Sequence, residues 1–80
     1  MPSPEDDARR QVADLEALAE KAYEEMYETR FPLGCYGDLK DCFSAAIEVA
    51  RKAGLSEEAE RLEKRLEHCK QVYRSQFSSL

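Results

Sequence analysis

The side chains best suited to chemistry in this 80-residue chain are three cysteines and its one histidine: Cys35, Cys42, Cys69 and His68. Three thiolates and an imidazole are the ligand chemistry of a structural zinc site. The spacing opposes that use. Cys35 and Cys42 form no Cys-x-x-Cys knuckle, and His68 adjoins Cys69, so on a helix these two side chains point about 100° apart. Nucleophilic catalysis would need the Cys42 thiol in hydrogen-bond reach of His68, with a cleft and a third group to orient the imidazole. No residue pattern supplies these. Nor does the Glu-x-x-His motif of a di-metal carboxylate site occur, since Arg65 stands three before His68. An odd cysteine count without a secreted framework predicts free thiols. Cys42 and Cys69 fall on apolar stripes, where cysteine behaves as a small hydrophobe. His68 reads as a boundary residue beside the core. The expectation is a protein that is not an enzyme and needs no cofactor. The alternative is a metal- or thiol-dependent protein, redox or structural zinc, using Cys42, His68 and Cys69.

Aromatic residues make the second chemical grouping: Tyr23, Tyr27, Phe31, Tyr36, Phe43, Tyr73 and Phe77. Lining up the predicted helices about their turns brings all seven to one end of the molecule, level with the cysteines. Large rings there fill the flare of a bundle as a core plug. Alternatively they form a surface for a partner. The segment Phe31–Tyr36 carries Phe31, Leu33, Cys35 and Tyr36, which is unusually apolar for a connection that should lie exposed. The candidate partner-binding residues are Tyr27, Phe31, Leu33, Tyr36, Tyr73 and Phe77.

Three amphipathic helices must position these groups. Ser3-Pro4-Glu5-Asp6 is a helix start, and apolar residues at Ala8, Val12, Leu15, Ala19, Ala22 and Met26 continue one face, widened by Leu18 and Tyr23. Phe31-Pro32 stops the pattern, which predicts a first helix over 4–30. Gly34 and Gly37 then mark a chain reversal, Asp38 is placed to cap a second helix over 39–53, and Gly54 to end it. Ser56 is placed to cap a third helix over 57–77, with Glu57–Arg61 and Glu60–Lys64 spaced as ion pairs. Short connections fold successive helices antiparallel. The expected fold is an all-α, single antiparallel up-down-up three-helix bundle spanning 1–80 as one domain, frayed at 1–3 and 78–80. The long first helix should overhang the shorter second one at Glu5–Gln11. The segment Ala50–Leu66, through Gly54-Leu55-Ser56-Glu57-Glu58-Ala59-Glu60, resembles the middle of a tetratricopeptide hairpin. It departs from that repeat at Ala46 and Ala50, where larger residues are expected, and is taken as shared helix-turn-helix chemistry without a family assignment.

A net charge of -5 argues against a nucleic-acid partner and against an anionic membrane surface. No apolar run approaches a membrane span, and the acidic start is unlike a signal peptide, so the expected location is cytoplasmic. The excess negative charge falls within residues 1–30, where Glu16, Glu20, Glu24 and Glu28 form a ridge. That ridge is a solvated face or a secondary surface for a basic partner. The expected partner is another protein, with homodimerisation through the flanks of the first and third helices as a further option.

Overall fold

The computed structural model describes residues 4–77. It is an all-α three-helix bundle: α1 (Pro4–Met26), α2 (Pro32–Lys52) and α3 (Ser56–Gln76). The expected Ser3 cap and the fraying of 1–3 and 78–80 lie outside the described residues. Acidic Glu5, Asp6 and Asp7 occupy the first turn of α1, where the helix dipole favours them. The other end of α1 has the opposite character. No base sits in its last turn, while Glu24, Glu25 and Glu28 crowd the negative end of the dipole. The helix therefore stops at Met26 instead of 30. Its last N–H groups tighten, with Tyr27 donating to the Glu24 carbonyl (3.2 Å) and Glu28 to that of Glu25 (3.0 Å).

The second helix starts at Pro32, not at Leu39. Phe31 is held non-helical (φ -124°, ψ 70°), as a residue before proline should be, and Pro32 takes the first helical position, where its missing N–H costs nothing. The Phe31 N–H donates to the Thr29 hydroxyl (3.2 Å). Asp38, expected as a cap, is instead an exposed residue inside α2. Gly34 and Gly37 are helical as well. The reversal expected there is made by residues 27–31. Each helical glycine costs about 1 kcal/mol. That cost is offset by the extra turns packing Cys35 and Tyr36 against the core.

The turn from α2 to α3 follows the sequence expectation closely. Gly54 has φ +76°, the left-handed conformation that glycine adopts without strain. Its N–H donates to the Arg51 carbonyl (3.1 Å), and the Leu55 N–H donates to Ala50 (2.8 Å). These two bonds make a Schellman motif, closed by burial of Leu55 beside Ala50. Ser56 does not cap α3. It is the first helical residue, Leu55 precedes it, and no side chain caps the end.

Cross-helix contacts fix the topology. Arg61 meets Glu16 and Arg65 meets Glu20, so α3 runs parallel to α1. Arg51 pairs with Glu63 while Tyr36 stacks on Tyr73, so α3 opposes α2. This is the up-down-up order. Because α2 is longer than expected, α1 has no overhang: Glu5 and Arg9 lie beside Gly54–Glu58. Phe43, Met26, Leu39, Leu62 and Cys69 are the largest fully buried side chains. Buried Ala19, Ala22, Ala46 and Ala50 let α1 and α2 approach closely. Among the described residues no helix is long and apolar enough to cross a membrane.

Candidate interaction surface

Five rings form one continuous array at the end of the bundle where α1 turns into α2. Tyr36 lies flat on Tyr73, with centroids 3.9 Å apart and planes within 3°. Tyr73 stacks on Phe77 at 5.9 Å, Phe77 meets the edge of Tyr27 at 5.3 Å, and Tyr27 meets Tyr23 at 5.5 Å. Offset-stacked and edge-to-face pairs of this kind add about 0.5–1.5 kcal/mol each beyond their area. The Tyr23 and Tyr27 hydroxyls share a hydrogen bond of 3.1 Å. That bond, followed by burial, pushes the Tyr23 pKa up to about 12. Lys40 Nζ sits 4.5 Å over the Tyr36 ring, capping the array with a cation.

The six candidate residues divide into two groups. Tyr36, Tyr73 and Phe77 are half-buried and packed against the core, where they act as the plug. Tyr36 reaches this position from within α2, not from a loop. Tyr27, Phe31 and Leu33 are 48%, 79% and 67% exposed. Phe31 and Leu33 flank Pro32, so the backbone presenting them is a proline-stiffened helix start and not a slack connection. Phe43 belongs to the core.

The thiols and the histidine are not gathered. Cys69 is fully buried, Cys35 and Cys42 are half-buried, and His68 is exposed. Among the described residues no three His, Cys, Asp or Glu side chains are placed to hold a metal ion. Burial pushes both the Cys69 and Cys42 thiols up, and Asp38 and Asp41 add to the effect at Cys42. Both are therefore less nucleophilic than a free thiol at neutral pH.

Two features escaped the sequence reading. Arg61 grips Glu16 with two hydrogen bonds (2.6 and 2.9 Å), and Arg65 grips Glu20 in the same way, with Nε 2.8 Å and Nη2 2.6 Å from its two oxygens. Arg61 also meets Glu58, not the expected Glu57; Lys64–Glu60 forms as expected. These contacts raise both arginine pKa values and lower that of Glu16. Half of the acidic ridge is thus neutralised within the molecule. The four-residue spacing shared by Glu16/Glu20 and Arg61/Arg65 was the available signal. The second feature is Leu18, 55% exposed although it continues the apolar pattern of α1. No protein-family model, curated protein or solved structure matches this chain.

Proposed function

We propose that this protein is a small, non-catalytic interaction module that docks a protein partner through Tyr27, Phe31 and Leu33. Tyr36, Tyr73 and Phe77 form the rigid base beneath them. The observation that carries this reading is the exposure of Phe31 and Leu33 on either side of Pro32. Large apolar side chains on a preorganised turn are the usual anchors of an interface. The fitting partner offers an apolar recess for the Phe31 ring, flanked by Lys or Arg to face Glu24, Glu25 and Glu28. A cytoplasmic location goes with this reading, supported by three cysteines that are all free.

The test is affinity capture from the native cell with wild type and with the double variant Phe31→Ser/Leu33→Ser, together with melting curves. The expected result is a captured protein lost in the variant while the Tm moves by no more than about 3 °C, since both side chains are exposed. An unchanged set of captured proteins, or a large fall in Tm, would overturn the reading and assign the two residues to stability.

A further inference from the structure

The bundle treats the two sides of α1 differently. On one side α3 lies along it, its leucines in the core and its Arg61 and Arg65 on Glu16 and Glu20. On the other side α1 and α2 leave a groove. Its floor is Leu18, Ala22 and Cys42, and its acidic rim is Glu25, Asp38 and Asp41. Lys21 is its one base. Leu18 is more than half exposed here, and Cys42 stands opposite it.

Like the α1–α3 side, where Glu16 and Glu20 take Arg61 and Arg65, the groove carries carboxylates along its edge. The molecule therefore contains its own example of what such a surface accepts. Its occupant there is a helix with apolar residues three and four apart and arginines four apart. We infer that the α1–α2 groove binds a basic amphipathic helix of a partner protein, laid in as a fourth helix of the bundle. Four-helix packing is the common way for such a face to be covered. A second copy of this chain suits the groove poorly, because each copy carries the same acidic rim and a net charge of -5. This site lies on a different face from Phe31 and Leu33, with Glu25 at the edge of both surfaces.

The probe is a synthetic amphipathic peptide of Leu and Arg, about 14 residues or four turns long, with a control in which every Arg is Glu. Cys42 reports occupancy of the groove through its alkylation rate, resolved by peptide mass spectrometry. The Leu/Arg peptide is expected to slow alkylation of Cys42 at least threefold, and the Leu/Glu control to leave it unchanged. Leu18→Glu and the pair Asp38→Lys/Asp41→Lys should each abolish the protection. All three positions are exposed, and circular dichroism confirms that the variants remain folded. Phe31→Ser/Leu33→Ser should retain the protection, which separates this site from the docking surface proposed above. Equal alkylation with and without the Leu/Arg peptide would overturn the inference. So would protection by the acidic control, or loss of protection in the folded Phe31→Ser/Leu33→Ser variant.

Discussion

The two ends of the bundle are closed by different means. At the α2–α3 end the turn is complete in itself: Gly54 supplies the left-handed residue, two backbone bonds satisfy the last carbonyls, and Leu55 is buried. At the α1–α2 end like charges cut α1 short, proline starts α2, and Phe31 and Leu33 point outward. An end that folds without leftover apolar surface serves stability. An end that keeps such surface after folding is available for something else. The contrast is what supports the docking surface proposed at the Phe31 end.

Five measurements would break or sharpen that contrast. The largest effect belongs to the leucines. Leu55→Ala should cost about 2–4 kcal/mol by opening a cavity at the closed end. Leu33→Ser at the open end should stay within about 0.5 kcal/mol. Urea titrations of both variants compare them directly, and similar losses would erase the distinction. Next come the glycines, whose effects should have opposite signs. Gly54→Ala forces φ +76° on a residue with a Cβ and should destabilise by about 1–2 kcal/mol. A Cβ at Gly34 meets nothing within 4 Å in a helical backbone, so Gly34→Ala should stabilise by roughly 0.5–1 kcal/mol. A loss at Gly34 would mean that α2 begins later than Pro32.

The aromatic end should also show itself in alkali. The Tyr23 pKa is raised in the folded state, so its contribution is fully present below pH 10 and is lost as the pH climbs from 10 toward about 12. Tyr23→Phe should flatten this alkaline fall in Tm, and an unaltered profile would remove the Tyr23–Tyr27 bond from the account. The smallest effect lies along the α1–α3 seam. Arg61 lowers the Glu16 pKa below its ordinary 4.5, so the stabilisation is present above that value and disappears as the pH falls through the folded pKa. Glu16→Gln should flatten the acid limb of a pH–Tm curve. The Arg65–Glu20 pair, partly exposed, should show a double-mutant coupling of only about 0.3–1 kcal/mol that weakens with salt.

Much of this was written in local patterns. The three-and-four spacing of Val12, Ala19, Ala22 and Met26, and of Ala59, Leu62, Leu66 and Cys69, identified both outer helices and their buried faces. Gly54 announced the second turn because a left-handed residue after two bases is a local requirement. The first turn misled for an equally physical reason. Gly34 and Gly37 carry weak helix propensity, and what holds them helical is the contact that Cys35 and Tyr36 make with residues far along the chain. Propensity is a small local quantity that tertiary burial overrides.

The sequence by itself settled the helical class, the outer helices, the second turn and the aromatic composition of one end, because each depends on residues within a few positions of one another. Only the tertiary structure decided where α2 begins, which aromatics became plug and which stayed exposed, that Glu16 and Glu20 are held by Arg61 and Arg65, and that Leu18 faces Cys42 across an open groove. Those outcomes depend on the relative register of helices. A shift of a few residues in one turn rotates and slides every side chain beyond it, and no local pattern records that shift.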